Sequence, residues 1–341
     1  MSSAAAPAPP TAPDVLLRCQ ELVRPALRDA VKRLHPWTAE MAAYSFGWCE
    51  VGGAPASLGG GKGVRQALAL LGAEAVGADA HTGVPAAVAV ELVHAFSLLH
   101  DDIMDGDTVR RGRPAVWRAY GTGPAVLAGD ALFALAVESL AAAPGGPGAL
   151  RLLSAALSDL VRGQADDLLF AARPWAGPQR VTPEEYRAMA ERKTGALLGC
   201  ALALGAALGG APSPVTGALD RAGRHLGIAF QMVDDVLGIW GRPDVTGKPV
   251  GGDLRERKKT FPVLAALRSP AARHLPTLLA SPAHAREAAA LVERAGGRTA
   301  ALAEARAQTA AARALLAGLP LAAGTAGELL LLLDFLVGRD L

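Results

Sequence analysis

From Val15 almost to the C-terminus, apolar residues recur at intervals of three and four, the spacing that lays one apolar stripe along a helix. Strand-like alternation is nearly absent. End signals divide the pattern. Pro85 can open a helix running to Asp105, which Gly106 can close. Thr182-Pro183-Glu184-Glu185 combines a capping box with proline at the first helical position. The segment ending at Trp240 runs into Gly241 and Pro243, a stop signal. No long linker or shift in composition divides the chain, so residues 14–341 read as one all-α domain with loops near 142–149, 171–182 and 241–253. Residues 1–13, MSSAAAPAPPTAP, are low in complexity and read as a flexible, polyproline-like tail.

Composition narrows the class. The 341 residues carry 34 Lys and Arg against 32 Asp and Glu, a net charge of +2, with 19% charged, 51% apolar and 4% aromatic residues. That balance excludes a disordered chain and disfavours a basic nucleic-acid-binding module. Alanine and leucine carry the apolar excess, which suits helices. Cys19, Cys49 and Cys200 lie far apart and form neither a metal spacing nor a disulfide framework, as expected of a cytoplasmic protein. The start of the chain lacks a cationic region and is interrupted by prolines, so a signal peptide is not expected. Thr194 to Leu219 is uncharged but broken by glycines and Pro212, and Leu329 to Leu333 is too short to span a bilayer; both read as buried core, with no transmembrane segment.

Two acidic clusters stand out. In His100-Asp101-Asp102-Ile103-Met104-Asp105, Asp101 and Asp105 are four apart and share one helix face. The same stripe runs back through Ser97, His94 and Val90. Gln231-Met232-Val233-Asp234-Asp235 again follows an apolar helix and again precedes a stop. Carboxylates near helix C-termini add to the negative end of the macrodipole and repel one another unless a cation sits there. Their hard oxygens suit magnesium, which keeps several waters and shares its remaining shell with phosphate. A solvated acidic helix end would account for one such cluster; two, each closing an apolar helix, favour a cation site.

Basic groups complement them. Arg110 and Arg111 follow the first cluster, Lys248 and Lys258 follow the second, Lys62 and Arg65 flank an early glycine-rich turn, and Lys193-Thr194 heads the uncharged segment. Each alone reads as a surface charge. Glycine beside lysine nevertheless allows close backbone approach to an anion, and arginine offers phosphate a bidentate fork. Carboxylates, cations and apolar helices together describe a site for a metal-bound diphosphate with a hydrocarbon tail.

These motifs, in this order, resemble those of the trans-type polyprenyl diphosphate synthases, most closely the short-chain enzymes of actinobacterial type. GGKGVR (60–65), ELVHAFSLLHDDIMDGDTVRRGRP (91–114), GQADD (163–167), Lys193-Thr194, FQMVDD (230–235) and GKPVGGDLRERKKTFP (247–262) carry the similarity. The resemblance implies a single large helical bundle of the isoprenoid synthase type around a central apolar cavity. It implies that Asp101, Asp105 and Asp234, supported by Asp102 and Asp235, bind about three magnesium ions around an allylic diphosphate. Arg110, Lys193 and Lys258, with Lys248 beside them, would hold that diphosphate. Lys62, Arg65, His94 and Arg111 would hold isopentenyl diphosphate, and Gln164, Asp167, Thr194 and Gln231 would line the place where a carbocation forms. A homodimer is implied as well.

Four positions depart from the family pattern. Gly63 and Gln66 stand where arginine and proline are usual, Gly238 replaces the third acid of the second DDxxD, and Arg242 stands where an acid commonly follows glycine. Ser97 leaves room beneath the diphosphate site. Phe96, rotated about 140° from Asp101 by helix geometry, is placed by spacing as plain core. The resemblance instead makes it a floor and implies a twenty-carbon geranylgeranyl product, with the fifteen-carbon farnesyl product next. A class I terpene cyclase and a non-catalytic partner subunit are the rival functions. Comparable tails on some relatives raise the further expectation of packaging as cargo in a protein shell.

Overall fold

The structure, a computed structural model, describes residues 10–56, 61–241 and 251–338. Thr11 opens the first helix instead of ending a tail. Its hydroxyl accepts the Asp14 N–H while the Asp14 carboxylate accepts the Thr11 N–H at 2.9 Å, so α1 (Ala12–Lys32) begins two residues inside the stretch read as flexible. Most of that stretch, and with it the expected role in cargo packaging, lies outside the described residues.

Helices α2 (Pro36–Ser45), α3 (Val64–Ala75) and α4 (Val84–Asp105) follow, then a short hairpin, β1 (Val109–Arg110) with β2 (Arg113–Pro114). Next come α5 (Val116–Tyr120), α6 (Thr122–Ala141), α7 (Gly146–Ala172), α8 (Pro183–Ala190), α9 (Ala196–Leu208) and α10 (Ser213–Trp240). The remainder is α11 (Gly252–Arg255), α12 (Phe261–Ala266), α13 (Leu275–Leu278), α14 (Ala285–Arg294), α15 (Gly297–Ala317) and α16 (Ala323–Val337). The expected end signals act. Pro85 sits in the first turn of α4, Gly106 closes it with φ 69°, and Thr182 exchanges capping bonds with Glu185. The all-α expectation holds apart from the hairpin.

At the centre, α3 and α9 are apolar on nearly every side, as fully surrounded helices must be. They pack on each other; α4 covers α3, and α7 and α10 cover α9. The α9–α10 contact is unusually close. A methyl group at Gly227 would strike the Gly195 backbone, and one at Gly223 would strike Gly199. This glycine row lets the two backbones touch and brings Gln231, one turn beyond Gly227, onto Thr194. By length and composition alone α4 and α6 could cross a membrane, but most of α4 lies inside the fold.

Candidate active site

Both acidic clusters end helices that converge on one irregular turn. Between α8 and α9 the chain makes a π-helical turn, Glu191–Gly195, that carries Lys193 and Thr194. Such a turn inserts an extra residue and re-aims its side chains, and it often marks a functional site. Gly163 of α7 allows the approach, since any side chain there would meet the Lys193 backbone. The Lys193 ammonium donates to Asp167 at 2.6 Å. Burial works against its charge, yet Asp167, Asp101 and Asp105 hold it above its ordinary range. On the other side the Thr194 hydroxyl donates to the Gln231 amide oxygen at 2.9 Å. Lys193 thus faces the first cluster and Thr194 the second, across one peptide bond.

Asp101 and Asp105 lie on the α4 face toward Lys193. Burial pushes the Asp101 carboxyl up to about 6, and Asp105 adds to the rise while Lys193 opposes it. Asp105 is raised in the same way, chiefly by burial, against the pull of Lys193 and Lys258. Lys258 is bonded to Glu256 at 2.9 Å and feels Asp253 on its own segment and Asp107 just beyond the first cluster. Divalent ions require the ionised carboxylate. An ion held by Asp101 would have to compete with that proton, and its apparent affinity would then fall about tenfold between pH 7 and pH 5. Mn2+ titration at the two pH values, followed by paramagnetic resonance, measures this.

Two of the expected ligands are otherwise engaged. Asp102 points into the fold and takes the Arg110 guanidinium, Nε at 2.6 Å and Nη2 at 2.5 Å. Asp235 is 3% exposed and accepts from the Tyr186 hydroxyl at 3.0 Å, the Gln231 amide at 2.9 Å and the Phe261 N–H at 2.9 Å. Adjacent residues on a helix point about 100° apart, so one of each Asp-Asp pair turns to the gap and the other, as a supporting acid, to the protein. Asp234 is the exposed member of its pair. Among the described residues no three His, Cys, Asp or Glu side chains close on one point. Two facing patches instead suit hydrated ions that take the rest of their shell from diphosphate oxygens.

A cavity of about 160 Å³ opens beside this gap, lined by Lys62, Arg65, His94, Arg111, Leu198 and Phe230. The four residues expected to hold isopentenyl diphosphate therefore meet. Arg65 Nη1 lies 3.2 Å from His94 Nε2. Burial, then Arg65, Arg111 and Arg110, holds the imidazole well below its usual range, so it is neutral and accepts through Nε2. Lys62 extends over the Phe335 ring, 5.6 Å from its centre. Gly63 has φ 67°, which strains any larger residue, and the Gln20 side chain fills the space where an arginine's would start. Gln66 is buried against Glu91.

The Gln164 amide is buried with no hydrogen-bond partner for either polar atom among the described residues. Unpaired amide atoms carry a desolvation cost, and their retention beside Lys193 fits a group kept for a ligand. Ser97 turns its hydroxyl back to the His94 carbonyl at 2.9 Å. Phe96 packs edge-on against His100 and tilts onto Phe133 of α6, with ring centres 4.8 and 5.6 Å away. Lys248 and Arg242 lie outside the described residues.

The polyprenyl synthetase family model matches residues 55–295. The chain belongs to that family. A (2E,6E)-farnesyl diphosphate synthase of Mycobacterium tuberculosis is 44% identical over 338 residues, covering 96% of this chain and 93% of the relative. A geranylgeranyl diphosphate synthase of the same organism is 46% identical over 283 residues, covering 80% and 79%. The crystal structure of a polyprenyl synthetase from Streptomyces coelicolor A3(2) superposes with a TM-score of 0.89 at 45% identity, over 95% of this chain and 98% of that one. The protein is a prenyltransferase of the polyprenyl diphosphate synthase type, and membership carries a general dependence on divalent metal.

Three features of this prenyltransferase site escaped the sequence reading. The hairpin that presents Arg110 and Arg111 turns through Arg111 (φ 53°) and Gly112 (φ 74°), the left-handed pair typical of a two-residue loop. Arg-Gly between short polar runs was the available signal. Glu91 is buried between Arg65 and Arg111, with its carboxyl raised by burial against their pull. An acid on an otherwise apolar α4 face, three residues before His94, could have marked it. The π turn left no local signal.

Proposed function

We propose that this enzyme joins isopentenyl diphosphate to an allylic diphosphate and releases chiefly the twenty-carbon geranylgeranyl product. The convergence of both acidic patches on Lys193-Thr194, next to a cationic cavity, is the observation that supports it. About three magnesium ions held by Asp101, Asp105 and Asp234 would supply Lewis-acid activation of the departing diphosphate. Lys193, Arg110 and Lys258 neutralise the same leaving group, with Asp102 fixing the Arg110 fork. Lys62, Arg65 and Arg111 seat the second diphosphate, and neutral His94 adds a hydrogen bond without adding charge. The carbon–diphosphate bond breaks, the alkene of isopentenyl diphosphate attacks the allylic cation, and a proton leaves to the freed diphosphate. Gln164, Thr194 and Gln231 present dipoles where positive charge develops, and the surrounding apolar helices exclude water that would quench it.

For product length, Ser97 is small on the Asp101 face, while Phe96 and Phe133 form an aromatic pair one flank away. That combination favours a channel longer than fifteen carbons need, closed by the two rings. Purified protein given isopentenyl diphosphate, magnesium and starters of five, ten or fifteen carbons should yield a twenty-carbon alcohol after dephosphorylation. No product from any starter would overturn the synthase reading, as would hydrocarbon released from geranylgeranyl diphosphate alone. Phe96→Ala should shift the products beyond twenty carbons; an unchanged distribution would remove Phe96 as the floor. The same reading carries a homodimer, for which the exposed Leu127 of α6 and Val161, Leu168 and Leu169 of α7 offer an apolar face.

A further inference from the structure

Helix α1 grips α3 at both ends. Arg18 forks onto Glu74 in the last turn of α3, at 2.7 and 3.1 Å, and reaches Glu328 of α16 at 2.6 Å. Two residues on, and about 200° around the helix, Gln20 serves the opposite end. Its amide donates to the Gly61 carbonyl at 3.2 Å, one residue ahead of Lys62. The same side chain fills the hollow at Gly63, where a built Cβ would come within 3.0 Å of the Gln20 Nε2, Cγ and Cδ. Arg111 rests on this turn from the other side: a Cβ at Gly61 would lie 2.8 Å from its Nη2. Lys62 and Arg111 both line the cationic cavity, and both depend on where Gly61 is held. Gln20 lies outside every motif that carries the family resemblance, and among the described residues the cavity wall does not include it.

We propose that Gln20 is a positioning residue for isopentenyl diphosphate: from α1 it fixes the Gly61–Gly63 turn, and through it the two cations that lean on that turn, Lys62 and Arg111. The inference rests on the synthase reading above and deepens it for that one substrate. Glycine backbone has the widest choice of conformations, so a turn built from it loses the most freedom when a ligand orders it. A side chain that holds the turn beforehand lowers that cost at the moment of binding. Gln20 restrains the turn twice, by its hydrogen bond to Gly61 and by its bulk against Gly63. Lys193 and Lys258, expected at the allylic diphosphate, stand on other segments and bond to Asp167 and Glu256. The effect of Gln20 is therefore confined to one of the two substrates.

Calorimetric titration with isopentenyl diphosphate, in the absence of a starter, tests this without turnover. Gln20→Ala should weaken binding by about tenfold. In steady-state assays it should raise the KM for isopentenyl diphosphate by a like factor, with kcat and the KM for the allylic starter within about twofold of the parent. Arg18→Ala, which releases the other end of α3, separates positioning from general packing. It should lower the melting temperature and leave the affinity within about twofold of the parent. Gln20→Met keeps the hollow at Gly63 filled but offers Gly61 no donor, and it stands in for the alanine variant should that fail to fold. It should weaken binding by about threefold or more. Parental affinity in the folded Gln20 variant overturns the inference, and so does an equal loss in Arg18→Ala. A parent that binds isopentenyl diphosphate through Gln20 but makes no prenyl product would sink the synthase reading and leave the positioning role standing. A productive parent indifferent to Gln20 would do the reverse.

Discussion

Asp101→Asn is expected to lower kcat/KM for condensation by about 10³-fold or more while leaving the fold intact. The two halves of that expectation come from one fact. In the protein without metal, burial and the neighbouring Asp105 push the Asp101 carboxyl up to about 6, so its charge is a burden to the fold. Removing it should leave the melting temperature unchanged or raise it. Only when divalent ions and a diphosphate enter does that charge become useful. A scaffold subunit would show the same indifference of stability but no loss of rate. Steady-state kinetics beside a thermal melt checks both, and an asparagine variant that turns over at the parental rate would remove Asp101 from the site.

The neighbouring pair behaves in the opposite sense. Asp235→Ala is expected to cost about 3 kcal/mol or more of stability, measured by denaturant unfolding. It strips three donors, on buried Tyr186 and Phe261 and half-buried Gln231, of their shared acceptor. It also unties α10 from α8 and α12 at the point where Gln231 must meet Thr194. Burial, only partly offset by those donors, leaves the Asp235 carboxyl at about 7. The folded state therefore holds this proton more tightly than the unfolded chain. Its contribution to stability is present at low pH and is lost as pH rises through about 7. The alanine variant should lack that slope. Asp234→Ala, at the exposed neighbour, should cost far less stability and far more activity.

These two contrasts show where the primary structure could and could not be read. Thr182, Pro85 and Gly106 act through atoms within a few residues of themselves, so the bounds of α4 and the start of α8 were legible from spacing. The four-residue interval between Asp101 and Asp105 likewise placed both on one face. The same logic could not say which member of Asp101-Asp102 or Asp234-Asp235 faces the gap. That depends on Arg110 arriving from the hairpin and on Tyr186 and Phe261 arriving from other helices. Glu91 went unnoticed because a single acid in an apolar helix acquires meaning only once Arg65 and Arg111 close around it.

Period, caps and the order of charged motifs are local properties, and they were enough to specify helices and the polyprenyl diphosphate synthase family. The division of labour among like residues is not local. Whether a carboxylate reaches a cation or is consumed inside the protein is set by which donors come within about 3 Å of it, and those donors come from distant parts of the chain. Asp235 is the clearest instance: only packing brings Tyr186 and Phe261 to it.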